Sequence, residues 1–232
     1  MWWWNWNNVK SDCHHMFANF SDDLIYNNRI IYQTLPHFKN YKNKSVLIIG
    51  GGGSTNDMNW KDLKNYDYIW SVNHFYKHPI LKDTKIDLVM MMAEPDITNK
   101  EWLAYRNKYK PMVGFEVHDK WKSWSFDNYD KYFCMHTKYY SMLGACSRMI
   151  IFACELGATK IHFIGLDGID AIHKGDHAFE PGKTTLPGMR GSFGDSYFLF
   201  WSYVMQSYPL ARFKNLGGGE KYHETVMRHH SS

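Results

Sequence analysis

The sequence predicts an α/β fold: a Rossmann-like parallel sheet with helices on both faces and an aromatic lid region. Short, continuous apolar runs such as Ser-Val-Leu-Ile-Ile over 45–49 recur along the chain, as expected of strands buried on both faces. Polar or amphipathic segments separate them, which is the pattern of a sheet wound by right-handed crossovers. The first run ends in four consecutive glycines, Gly50 to Gly53, at the place where open parallel sheets receive their ligands.

Residues 1–43 come first, rich in Trp, Asn, His and Tyr, with a helix-like segment around Phe17 to Gln33. They read as an N-terminal appendage packed on the domain, and 44–232 as a single nucleotide-binding catalytic domain. After the glycines, Trp60 to Lys64 offers a short helical stretch, and Tyr68 to Val72 a second buried strand ending at Asn73. A third strand, Ile-Asp-Leu-Val-Met-Met-Met from Ile86, stops at Ala93-Glu94-Pro95-Asp96, and Pro111 to Val117 supplies a fourth. The stretch from about 118 to 140 is aromatic, Lys-rich and aperiodic, so it reads as a lid beside the site. Leu143, Met149, Ile150, Ala153 and Leu156 recur at helical spacing, with Gly157 where a helix should end. Lys160 to Gly165 is again a strand. A polar loop over 170–194 leads to an aromatic helix from Tyr197 to Tyr208 and a last short strand from Ala211 to Leu216.

Composition narrows the class. A chain of 232 residues with 44% hydrophobic residues can bury one large core. The formal charge of +4, with its lysines scattered rather than clustered, is only a weak argument for a polyanionic partner, and a soluble surface with a slight basic bias is the expected reading. The four cysteines form no CxxC pair, so a reducing, cytoplasmic setting with free thiols is expected. No apolar run is long enough for a membrane span.

Chemistry is sought in the segments that follow the strands. Gly51, Gly52 and Gly53 let main-chain N–H groups approach an anion without Cβ atoms in the way, and the hydroxyls of Ser54 and Thr55 add donors. Asn73 can offer donor and acceptor to a sugar or base. Glu94 and Asp96 could orient a hydroxyl or bind a divalent ion. The densest polar group is Asp167, Gly168, Asp170, His173, Asp176, His177, Glu180 and Lys183, able to supply a general base, metal ligands or a phosphate-facing imidazolium. The helix starting near Ser141, Leu143 and Gly144 adds free N–H groups and a positive dipole end.

Ser45-Val-Leu-Ile-Ile-Gly-Gly-Gly-Gly-Ser54, Ser71-Val-Asn73-His-Phe-Tyr76, the Gly144 helix with Leu156-Gly157, and Ile164-Gly165-Leu-Asp167 resemble, in order, motifs of the bacterial sialyltransferases of glycosyltransferase family 42. The same set resembles the related family that includes the archaeal 6-hydroxymethylpterin diphosphokinase. The resemblance implies that the glycine loop and Asn73 contact a nucleotide, and that the Ser141 to Gly144 turn and Asp167 hold the donor's base, ribose or sugar. His177 stands where those sialyltransferases carry a Tyr that steadies the leaving phosphate. They also use a His farther along as base; here no His lies between His177 and His223, and Arg190 and Asp195 occupy that region.

The leading expectation is a glycosyltransferase that moves a sugar from a nucleotide-sugar donor to a hydroxyl-bearing acceptor, with no cofactor required. His177, Asp167 or Asp195 would take the acceptor proton, and Arg190 or Lys183 would meet the leaving phosphate's charge. The alternative is diphosphokinase-type transfer to a pterin-like heterocycle, with Mg²⁺ held by Asp167, Asp170 or Glu180. A nucleic-acid partner, including sugar transfer to a modified base in DNA, is the remaining reading.

Overall fold

The computed structural model describes residues 24–26, 29–32, 41–91, 99–116, 132–135, 144–167, 177–183 and 193–217. Near the N-terminus, β1 (Leu24–Tyr26) and β2 (Arg29–Tyr32) pair antiparallel. This corrects the helix expected around Phe17 to Gln33. Leu-Ile-Tyr and Arg-Ile-Ile-Tyr are β-branched and aromatic runs separated by only two Asn residues, a hairpin signal that outweighs a loose helical spacing.

The remaining strands are β3 (Ser45–Ile49), β4 (Tyr68–Val72), β5 (Leu88–Met91), β6 (Met112–Glu116), β7 (Tyr132–Met135), β8 (Lys160–Ile164) and β9 (Arg212–Asn215). They form one seven-stranded sheet in the order β7-β6-β5-β4-β3-β8-β9, and every neighbouring pair is parallel. The predicted fold class is therefore what the chain adopts. β7 is a second correction, because it lies inside the stretch assigned to the lid. Tyr-Phe-Cys-Met does not stand out among so many aromatics, and only its pairing with β6 makes it a strand.

Three α-helices are described: α1 (Lys100–Tyr109), α2 (Ala145–Glu155) and α3 (Phe193–Ser207). Asn99 caps α1 by accepting the Trp102 amide at 3.0 Å. Gly157, at φ +88°, closes α2 in the left-handed conformation that favours glycine. The centre of the sheet is dry. Val46, Leu47, Ile48 and Ile49 of β3 are fully buried, and α2 and α3 cover one face through Phe152 against Trp70 (5.8 Å between ring centres) and Trp201 stacked on Phe163 (5.4 Å). Among the described residues, no helix is long and apolar enough to cross a membrane.

The strand order fixes where a ligand can enter. From β3 the chain winds outward through β4, β5, β6 and β7, then returns to place β8 on the other side of β3. The connections after β3 and β8 leave in opposite directions, so a crevice opens at the carboxyl ends of these two strands.

Candidate functional site

The glycine loop after β3 and the Gly165–Asp167 turn after β8 meet at this switch point. The Gly50 amide donates to Ile164 O at 2.8 Å and the Gly52 amide to Gly165 O at 3.0 Å. Such close main-chain crossing excludes side chains. A Cβ on Gly50 would lie 2.6 Å from Gly165 O, and one on Gly165, itself at φ +73°, would lie 2.5 Å from Gly50 O. Here the glycines are demanded by the protein's own packing before any ligand is considered.

Ser54 and Thr55 turn inward. Both are fully buried; Thr55 Oγ1 donates to Gly50 O at 2.8 Å, and Ser54 Oγ donates to the Asp167 carboxylate in a short bond. The Ser54 amide adds a second bond to Asp167 Oδ2 at 2.9 Å, and Ser54 Oγ accepts the Gly165 amide at 3.1 Å. Asp167, 3% exposed, thus braces the loop from across the crevice. The hydroxyls expected to face an anion are committed inside the loop. Of the loop amides, those of Gly51 and Gly53 have no acceptor among the described residues, and Gly53 is the half-exposed member of Gly50–Thr55.

His177 lies directly on the loop. A Cβ on Gly51 would come within 2.2 Å of its Cε1 and 2.3 Å of its Nε2, and the next residue's amide, Ala178, donates to Gly51 O at 2.8 Å. The Phe179 amide donates to His177 Nδ1 at 3.2 Å, so the neutral ring carries its proton on Nε2. Burial lowers the His177 pKa below the ordinary histidine value, with Glu180 pulling the other way and Lys183 and His74 adding to the depression. At neutral pH this ring is a hydrogen-bond donor without charge.

Beside it, Glu180 collects two lysines and a histidine. Its carboxylate lies 2.6 Å from Lys183 Nζ, 3.4 Å from Lys77 Nζ and 3.0 Å from His74 Nδ1. Burial disfavours its charge, but Lys183 and His74 outweigh that and hold the carboxyl at about 2. His74 and Lys77 were not singled out by the sequence reading. The signal available was their position directly after Asn73 at the end of β4, the same edge that places the glycine loop.

The other expected residues divide. Asn73 adopts φ +46°, a conformation Asn tolerates, and its amide donates to Met90 O at 2.9 Å, tying the end of β4 to β5. Gly144 starts α2 at φ +83° with open space where a Cβ would point. Cys146, one residue into α2, abuts Gly50, and burial pushes its thiol up to about 12, aided by Asp167, so it stays protonated. Asp195 lies in the first turn of α3. Ser141, Leu143, Gly168, Arg190, Asp170, His173, Asp176, Glu94 and Asp96 lie outside the described residues. Among the described residues, no cluster of three or more His, Cys, Asp or Glu could hold a metal ion.

An all-parallel sheet with a braced glycine loop at its switch point defines a Rossmann-like α/β protein of the kind that binds ligands at strand ends. Comparison with solved structures gives that fold a particular likeness. The sialyltransferase CstII from Campylobacter jejuni, in complex with the substrate analogue CMP-3FNeuAc, matches with a TM-score of 0.54 and 14% identity over 75% of this chain and 82% of that one. Its complex with cytidine-5'-monophosphate matches with a TM-score of 0.50 and 14% identity, over 75% and 80%. At this identity the shared property is the fold. No protein-family model matches the chain, and no curated protein is significantly similar to it.

Proposed function

We propose that this protein is a glycosyltransferase that moves a sugar from a nucleotide-activated donor to a hydroxyl acceptor. One observation carries the reading: at the switch point, beside His177 and the glycine loop, Lys77, Lys183 and His74 converge on a single carboxylate, Glu180. That leaves an excess of donors and positive charge where a leaving phosphate gains negative charge. The fold shared with CstII, a sialyltransferase, supports the same reading.

The roles follow from the hydrogen bonding. His177 has its Nδ1 lone pair engaged by the Phe179 amide, so it serves as an Nε2–H donor to the leaving phosphate rather than as the base. Lys77 and Lys183 supply positive charge beside it. Asp167 holds the loop in shape, its two carboxylate oxygens engaged by Ser54. With His177 Nδ1 and the Asp167 oxygens engaged, Asp195 remains of the three bases the sequence offers for the acceptor hydroxyl. The lysines meet the phosphate charge directly, so no metal ion is required.

The test is a thermal-shift screen of CMP-, UDP-, GDP- and ADP-sugars, ATP and pterins, followed by turnover with and without chelator. A nucleotide sugar at a hundred times its dissociation constant should stabilise the chain by about 2.7 kcal/mol. Lys77→Met and Lys183→Met should each weaken it about tenfold, the loss of one charge-assisted contact of roughly 1.5 kcal/mol. Stabilisation by ATP and a pterin alone, with turnover abolished by chelator, would overturn the proposal in favour of phosphoryl transfer.

A further inference from the structure

β9 ends the sheet, so one edge of it has no partner strand among the described residues. The Arg212 amide donates to Thr159 O and the Leu216 amide to Phe163 O, each at 2.8 Å, so these alternate residues hydrogen-bond inward toward β8. The alternation of a parallel ladder turns the amide and carbonyl of Phe213 outward. Its ring faces the helices, in contact with Trp201, and Arg212 and Lys214 stand exposed on the opposite face.

The charges on that face are arranged in rows. Arg212 pairs in register with Lys160, and Lys214 with His162. Arg212 and Lys160 are thus two cations facing each other across neighbouring strands, which destabilises a sheet unless something offsets them. Among the described residues no carboxylate does so. Asp67, at the head of β4, is taken by Lys44 and by the amide and hydroxyl of Ser45. Lys160 Nζ lies over the Tyr66 ring at 5.4 Å, and the Tyr66 hydroxyl bonds His162 Nδ1 at 2.7 Å, so this aromatic is already covered and engaged. A stacking base therefore finds no ready platform here, which disfavours a nucleic acid. Burial, with Lys160 and Lys214 adding to it, holds His162 at about 4, so this ring is uncharged at neutral pH.

We propose that the β9 edge is a docking site for an extended peptide segment bearing carboxylates at alternate positions, which adds to the sheet as an eighth strand beyond Arg212–Asn215. Main-chain bonds at Phe213 give the partner its direction, and every second side chain falls beside Arg212 or Lys214. The same cations reject a second copy of β9, which would set Arg and Lys against Arg and Lys. The occupant is thus a different chain with acidic alternation. This inference is independent of the proposed sugar transfer, because it uses none of the residues around the glycine loop.

The experiment titrates fluorescein-labelled peptides into the full chain and reads polarisation. The first is a hexapeptide alternating Thr and Glu, the second has the same composition with its Glu residues contiguous, and the third is the first with alternate amides N-methylated. Hexathymidylate serves as a polyanion with an unrelated backbone. The alternating peptide should bind about tenfold more tightly than each of the others, from two cross-strand ion pairs and the main-chain bonds. The double variant Arg212→Glu, Lys214→Glu, checked for unchanged thermal unfolding, should lose that binding and gain affinity for the Thr-Lys counterpart. A single reversal, Lys214→Glu, stands in should the double variant unfold early. Equal binding of the contiguous peptide or of hexathymidylate, indifference to N-methylation, or no binding at all would overturn the proposal.

Discussion

The contact between Gly51 and His177 offers the most direct test of how the site is built. Gly51 does not have the positive φ that would demand glycine, so alanine fits its backbone, and the obstacle is the His177 ring, 2.2 Å from where the new Cβ would stand. The three nearest heavy atoms to that Cβ all belong to His177. Gly51→Ala must therefore push the ring by about an ångström, costing roughly 1–3 kcal/mol for overpacking. It also breaks the Phe179 amide bond to Nδ1, about 1 kcal/mol more. His177→Ala alone should cost about 1–2 kcal/mol, mostly the amide left without its acceptor. If the two effects were independent, the double variant would lose some 3–6 kcal/mol. The geometry predicts instead that, once the ring is gone, the extra methyl group is harmless or gains about 0.4–1 kcal/mol by restricting the unfolded chain. Urea unfolding followed by tryptophan fluorescence, which ten Trp residues make sensitive, gives the four stabilities. A double variant as unstable as the sum of the singles would refute the placement of His177 on the loop.

Further outcomes follow from the brace and the cation cluster. Ser54→Ala removes the hydroxyl that bonds Asp167, 3% exposed, and should destabilise by about 1–3 kcal/mol in the same urea assay, whereas adding Asp167→Asn to it should recover part of the loss by discharging the stranded carboxylate. Glu180 titrates at about 2 when folded, below its ordinary 4.5, so its stabilising contribution is complete above pH 4.5 and fades as pH falls toward 2. Glu180→Gln should therefore flatten the acid side of the stability curve measured by thermal unfolding; an unchanged acid limb would rule out the cluster as drawn.

The strands of the sheet were legible because β3, β4, β5 and β8 are buried apolar runs, and α2 because its apolar spacing and Gly157 agree. β7 and the β1–β2 hairpin were not. Their residues are ordinary aromatics and β-branched side chains whose state is decided by a pairing partner distant in sequence or by a short turn. At the switch point, the sequence named loops that the fold brings together and misjudged the direction of the Ser54 and Thr55 side chains. Four glycines followed by Ser and Thr suggest a ligand-facing hydroxyl pair, yet the pattern is equally what a loop needs when it crosses Gly165 and is tied to Asp167. No local rule separates those cases, because the deciding contact joins residues 113 positions apart. His74 and Lys77 were missed for a related reason: their role depends on Glu180, which comes from another connection.

That separation also times the appearance of the site. β3 must reserve its second edge while the chain completes β4 to β7 on the other side, and only the emergence of β8 brings Gly165 and Asp167 to the waiting loop. A nascent chain halted before β8 holds the glycines without their brace, with one flank of its most apolar strand bare. Loop closure over such a span is slow compared with local pairing. The braced loop is therefore completed late and all at once, and premature termination upstream of β8 leaves a sticky half-sheet rather than a weakened fold.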